Sequence, residues 1–226
     1  MNLLALDTST EYLSLALRFR GELHTREWHA QQKHAEMALP EIQRLLADAG
    51  ATVADLNGIA VSIGPGSFTG LRIGCGIAQG LAFGLDIPTV GVNTLAALAA
   101  DCAAPRVLAA LDARMGELYV AGFERASDEW REMTASTVCK PEALPPLSGD
   151  GWVGVGTGFK VAGDAIAAHY GAQLASYAND VYPHARGVLA LAEVEFKAGR
   201  GQPAERLELL YVRDKVALKT SERQRA

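Results

Sequence analysis

Two stretches of this chain carry residue types that could do chemistry: Asp7-Thr8-Ser9-Thr10 and Gly64-Pro65-Gly66-Ser67-Phe68-Thr69-Gly70. A turn aspartate with hydroxyl neighbours can hold a hydrated cation or a phosphate through its carboxylate and the nearby amides. A glycine-proline turn that runs into a helix presents backbone N–H groups at the positive helix end, where an anion can sit. Gly64 and Gly66 permit backbone angles that other residues avoid, and Pro65 fixes one torsion between them. Thr69, or Ser67, can accept a bond from the first free helix amides. Asp7, Thr8, Ser9, Gly64, Gly66 and Ser67 are therefore candidate phosphate or nucleotide contacts, and so is Asp112 in Asp112-Ala113-Arg114-Met115. Plainer readings weigh more on spacing alone. Glycine-rich turns without a ligand are common, and turn aspartates are usually satisfied by local backbone.

Metal and thiol chemistry find less support. The five histidines are His24, His29, His34, His169 and His184, and no two are four apart. His29 and His34 could meet only through folding, and a surface or helix-start role for each carries more weight. Cys75, Cys102 and Cys139 have neither pair spacing nor a metal pattern, so no metal is expected and three small buried thiols in a reducing compartment are.

The elements that must position these residues follow from periodicity. Residues 3–6 are an apolar run ending in the Asp7 turn. Residues 13–19 alternate apolar and polar, the pattern of a half-buried strand, and a third strand is predicted near 23–28. Met37, Ala38, Ile42, Leu45, Leu46 and Ala49 give a helix over 34–49 that Gly50 stops, with Pro40 kinking it or starting its regular part. Strands are predicted at 59–63 and 87–92, and a helix over 94–100. Residues 108–112 repeat the apolar run and aspartate of 3–7. With Asp112 set on Asp7, Leu118 falls on Leu13 and Ala121 on Ala16. A proline-rich loop at 141–150, a strand at 152–155, a second glycine turn (Gly154, Gly156, Gly158), helices near 161–169 and 183–197 and a strand at 207–212 complete the reading. A strand hairpin followed by strand–helix alternation, occurring twice, implies two stacked α/β subdomains with a cleft between them.

The helix over 70–84 has Arg72 as its only charged residue, so it needs cover on more than one side. Gly76, Gly80 and Gly84 recur every four residues, and Gly70, Gly74 and Ala78 form a second small row. The interior glycines at 74, 76 and 80 cost about 3 kcal/mol together relative to alanine. Close approach of another backbone would recover that. One row can lie on the chain's own sheet and the other can receive a helix from a second chain, or both can be internal.

The 226 residues suit one large or two small domains, and 49% hydrophobic content supplies a core. A net charge of −5 argues against strong autonomous nucleic-acid binding, which needs a basic face. The first apolar run reaches Asp7 at once, with no basic leader, so it reads as a strand and not a signal peptide, and no stretch reads as a membrane span.

Leu4-Ala5-Leu6-Asp7-Thr8-Ser9-Thr10, His34 with Leu39-Pro40, the Gly-Pro-Gly-Ser-Phe-Thr-Gly-Leu-Arg-Ile-Gly run at 64–74, Asp112-Ala113-Arg114 with Gly116-Glu117-Leu118-Tyr119, and Tyr211-Val212-Arg213 resemble the TsaB family, also called YeaZ. The resemblance covers nearly the whole chain, and the glycine loop is its specific part. It implies an α/β fold of two related actin-like (ASKHA, ribonuclease H-like) subdomains, each a mixed sheet flanked by helices. We place these at 1–102, carrying the docking helices, and 103–226. It also implies a non-catalytic scaffold in the bacterial machinery that installs threonylcarbamoyl on the adenosine beside the tRNA anticodon. Such a subunit pairs with a TsaD-like catalytic protein and works with a TsaE-like small ATPase. It meets tRNA only through the complex, forms a homodimer when alone, and is cytoplasmic. No cofactor is expected to bind it tightly; ATP is used by the assembled complex.

The resemblance places the docking face on the helices at 34–49 and 70–84, with His34, Met37, Ala38, Glu41, Leu45, Gly70, Ile73, Gly76, Ile77 and Gly80 as interface candidates. The catalytic relative carries two histidines, four apart, shortly after the next strand. Here Val90-Gly91-Val92-Asn93-Thr94-Leu95-Ala96-Ala97 offers no histidine, cysteine or carboxylate. Actin-like kinases follow the aspartate with glycine and threonines that wrap phosphates, whereas Ala113-Arg114-Met115 places bulk there. The competing readings are an actin-like small-molecule kinase using Asp7 or Asp112, a glycoprotease-type metallopeptidase, and a separate tRNA site on the tail. That tail sets Arg213, Lys215, Lys219, Arg223 and Arg225 against Asp214 and Glu222.

Overall fold

The computed structural model describes residues 1–127 and 129–212. The basic tail and Arg213 of the last motif lie outside the described residues. Strands β1 (Leu3–Asp7), β2 (Tyr12–Phe19) and β3 (Glu22–His29) form an antiparallel meander, to which β4 (Gly58–Gly64) and β5 (Thr89–Asn93) add in parallel. The order is β3-β2-β1-β4-β5. The second sheet repeats this layout. β6 (Arg106–Asp112), β7 (Leu118–Ala126) and β8 (Glu129–Cys139) are the meander, β9 (Trp152–Val155) and β10 (Leu174–Ala178) the parallel pair, in the order β10-β9-β6-β7-β8. The short echo of 3–7 in 108–112 thus marks the central strands of two mixed sheets.

Five helices cover the sheets: α1 (His34–Asp48), α2 (Phe68–Leu85), α3 (Thr94–Ala100), α4 (Gly158–Tyr170) and α5 (Ala185–Lys197). α1 contains Pro40, and Gly50 follows its end at a φ of +66°. α3 starts where Asn93 accepts from the Leu95 amide at 2.8 Å. Helices α1 and α2 cover one face of the first sheet, burying Leu4, Leu6, Leu13, Leu15 and Leu17 against Ile42, Leu45 and Ala78. The opposite face takes α5, with Leu3, Ala5 and Ala16 packed on Val188 and Leu189. In the second sheet, Val107, Ala109 and Ala121 pack on Leu95 and Leu98 of α3, while Leu108, Trp152 and Phe159 form a core that reaches α4. The layer between the sheets is therefore the α3–α5 pair. They approach so closely that a side chain at Gly187 would strike the Ala97 carbonyl.

Several expectations need correction. β2 is buried from Leu13 to Leu17 on both faces, not half-buried. Its polar residue Ser14 is buried because its hydroxyl accepts from the Ala185 amide at 3.0 Å. β8 and β10 have no counterpart in the reading. β10 is largely exposed and β8 alternates between exposed and half-buried with no buried residue, so neither shows the apolar run that signals a core strand. Residues 207–212 form no strand. They are joined to the first sheet by the Leu210 amide, which donates to the Ile63 carbonyl at 2.9 Å. The chain after β10 returns to the first sheet, since α5 packs on β1, β2, β4 and β5.

Candidate functional site

The β1–β2 turn and the glycine loop fold onto one another. Asp7 is buried at the end of β1. Its Oδ1 accepts from the Ser9 amide at 3.0 Å and the Ser9 hydroxyl at 2.8 Å, and its Oδ2 accepts from the Ser62 hydroxyl. Burial pushes the Asp7 carboxyl above the usual carboxylate range, and the Ser62 and Ser9 hydrogen bonds only partly offset it. Thr8 donates to the Gly70 carbonyl at 2.8 Å, and the Ser67 amide donates to the Ser9 carbonyl at 2.7 Å. Asp7, Thr8, Ser9, Gly66, Ser67 and Gly70 are thus one cluster, and each polar group in these bonds is matched within the chain.

The glycines make that contact possible. A side chain at Gly66 would strike the Ser9 carbonyl, one at Gly70 the Thr8 carbonyl, and one at Gly74 the Thr8 hydroxyl. Gly64 sits at a φ of +124°, and a side chain there would meet the Leu210 carbonyl, so the returning C-terminal segment closes over the loop. Ser67, not Thr69, caps α2: its hydroxyl accepts from the Gly70 amide at 3.3 Å. The chain's own β1–β2 turn packs directly against this loop at Thr8 and Ser9.

Asp112 ends β6, as Asp7 ends β1, but its surroundings differ. Its carboxylate accepts from the Arg114 amide at 2.7 Å and from the Arg114 guanidinium at 3.1 Å. Arg114, Met115 and Gly116 all have positive φ, a tight turn beside the carboxylate. The Asp112 amide donates to the Thr157 hydroxyl at 3.2 Å.

Helix α2 has a second face. Gly76, Gly80 and Gly84 are exposed, and a side chain built at any of them would meet nothing within 4 Å among the described residues. Ile73 and Ile77 flank this row half-buried, and Phe83 beside it is 70% exposed. The remaining interface candidates lie elsewhere. His34, Ala38, Glu41, Leu45 and Gly70 are buried within the chain, and Met37 is half-buried. His34 Nε2 lies 3.1 Å from the Tyr12 carbonyl, and Glu41 pairs with Arg44. Their apolar spacing reflects α1 packing on its own sheet. Three exposed residues were not singled out as site residues: Phe68, Phe83 and Tyr211. A large apolar residue set among glycines on one helix face is the signal that could have marked Phe83.

His184, just before α5, pairs with Glu27 of β3. Among the described residues no group of three or more histidine, cysteine, aspartate or glutamate side chains could hold a metal ion, and no helix is long and apolar enough to cross a membrane. A cavity of about 390 Å³ opens between β5, α3, α5 and the start of β8, lined by Val92, Asn93, Trp130, Leu191, Val194 and Arg200.

A protein-family model described as "TsaD: tRNA N6-adenosine threonylcarbamoyltransferase" matches residues 28–198. The tRNA threonylcarbamoyladenosine biosynthesis protein TsaB of Escherichia coli K12 is 39% identical over 97% of this chain and 97% of its own length. A Pseudomonas aeruginosa structure described as YeaZ aligns with a TM-score of 0.84 at 34% identity, covering 93% of this chain and 100% of that one. Another from the same organism, described as an uncharacterized protein with similarity to peptidase YEAZ, aligns with a TM-score of 0.86 at 35% identity, covering 94% and 99%.

Proposed function

The chain belongs to the TsaB family, also called YeaZ, of tRNA threonylcarbamoyladenosine biosynthesis proteins, and we propose that it serves there as a non-catalytic scaffold that docks a TsaD-like catalytic subunit through the open face of α2. One observation carries this reading: Gly76, Gly80 and Gly84 are exposed, and nothing among the described residues lies against them. An exposed glycine in a helix interior costs about 1 kcal/mol relative to alanine. At Gly70 and Gly74 the Thr8 contact explains that cost; at Gly76 and Gly80 no contact among the described residues does. A row without side chains lets a foreign helix approach closely, and Ile73, Ile77 and Phe83 add apolar surface to the same face. The same face pairs two copies when the partner is missing, which gives the homodimer.

In this reading the reactive groups belong to the partner, and the small ATPase and tRNA join the assembled complex in the cytoplasm. The kinase alternative needs an available aspartate, whereas Asp7 is engaged by three donors and Asp112 by Arg114. The metallopeptidase alternative needs a donor cluster that the described residues do not offer. The test is co-purification of Gly80→Leu with the catalytic subunit from native extract. Loss of the partner from a folded variant is expected; recovery at the normal yield contradicts the reading.

A further inference from the structure

Arg72 is the only charged residue of α2 and stands one turn before Gly76, in the exposed row that continues through Gly80 and Gly84. Among the described residues no carboxylate pairs with it. Its guanidinium carbon lies 3.8 Å over the Phe68 ring, and Nε and Nη2 each donate to the Tyr211 hydroxyl at 3.4 Å. The Phe68 and Tyr211 rings lie 6.0 Å apart. Both rings are themselves exposed, at 41% and 51%. Among the described residues the cation is therefore oriented but not neutralised. One flat face rests on Phe68 and one edge leans on Tyr211, and among the described residues no group is bonded to the end of the fork.

From this arrangement, and resting on the docking role proposed above, we infer that Arg72 is the charge-specific contact of the α2 face and pairs with a carboxylate supplied by the catalytic partner. When a partner covers the row, Arg72 leaves water. A desolvated arginine without a counter-charge is strongly unfavourable, so a partner that fits the glycines must also bring an anion. The open end of the guanidinium presents two parallel donors, which match a carboxylate bidentately. Phe68 and Tyr211 fix the side chain before binding, so little rotamer freedom is lost on association. α2 itself carries no carboxylate. Packing α2 on the α2 of a second copy brings no carboxylate from that helix, so the homodimer through this face is weaker than the pairing with the catalytic partner.

The experiment titrates the purified catalytic subunit against the full-length chain carrying wild-type Arg72, Arg72→Gln or Arg72→Glu, with Gly80→Leu as the docking control. Thermal unfolding of each variant is measured alongside. Arg72→Gln is expected to weaken the heterodimer by about thirtyfold or more, and Arg72→Glu further, with unfolding midpoints unchanged because the side chain is exposed. A lysine scan of the partner's acidic residues is expected to find one position that restores binding to Arg72→Glu. Wild-type affinity for Arg72→Glu while Gly80→Leu abolishes binding overturns this inference and leaves the docking role standing; wild-type affinity for both overturns the docking role itself. Weakened binding that no reversal in the partner restores overturns the carboxylate. So does an intact heterodimer whose complex loses tRNA on Arg72→Glu, since the cation would then serve RNA phosphate.

Discussion

Helix α2 carries two rows of small residues that look alike in sequence and meet opposite surroundings. Gly70, Gly74 and Ala78 are buried, with the first two pressed on Thr8. Gly76, Gly80 and Gly84 face outward with nothing among the described residues against them. A glycine retained against a close backbone is explained by fit. A glycine in an open helix has no such explanation among the described residues, and on the docking reading a partner supplies it. The contrast separates what folds the chain from what the chain is folded for.

The largest expected effect breaks the inner row. Gly70→Val drives methyl groups into the Thr8 carbonyl and should destabilise the chain by about 3 kcal/mol, read from the denaturant midpoint. A loss below about 0.5 kcal/mol would show that the turn yields easily and that the inner row is not needed for fit. The outer row behaves the other way. Gly80→Leu, the variant that should lose its partner, should leave the isolated chain more stable by about 0.7 kcal/mol, because leucine is the better helix former and meets no neighbour. A destabilised Gly80→Leu would mean that something in the chain already uses that face.

How legible these features were depended on whether each residue's environment could be read locally. Thr94–Ala100 and Trp152–Val155 formed as read, because a side-chain cap or a compact apolar run fixes such elements from neighbours alone. β8 escaped because Glu129, Arg131 and Glu132 face solvent and leave no apolar alternation. The return of α5 to the first sheet was invisible. An apolar stripe such as Val188, Leu189 and Ala192 says that a helix is covered, not by what. Ala38 and Leu45, placed among the docking candidates by the family resemblance, are buried in the chain's own core. In α2 the period of four was readable, but which row faced inward was set by Thr8, sixty-odd residues earlier in sequence.

The smallest expected effect concerns the turn on which the inner row leans. Burial raises the folded-state pKa of Asp7 above its unfolded value near 3.8. The folded state then holds that proton more tightly, so this group's contribution is full below the unfolded pKa and is lost as pH rises through the folded pKa. Asp7→Asn removes the ionisation and keeps the shape. It should flatten the fall in stability over that window, raise stability at neutral pH and leave docking intact. A variant that folds well yet no longer supports tRNA modification by the complex would return Asp7 to the chemistry.

The central claim, that the outer face of α2 is where the catalytic subunit sits, is tested most directly by hydrogen exchange of the backbone amides of residues 76–84, measured with the full-length chain alone and saturated with that subunit. The account predicts that exchange there slows by about tenfold or more on complex formation, while the inner-face turn at Thr8 and Ser9 is unchanged. Unaltered exchange along 76–84, with new protection on another surface, would contradict it.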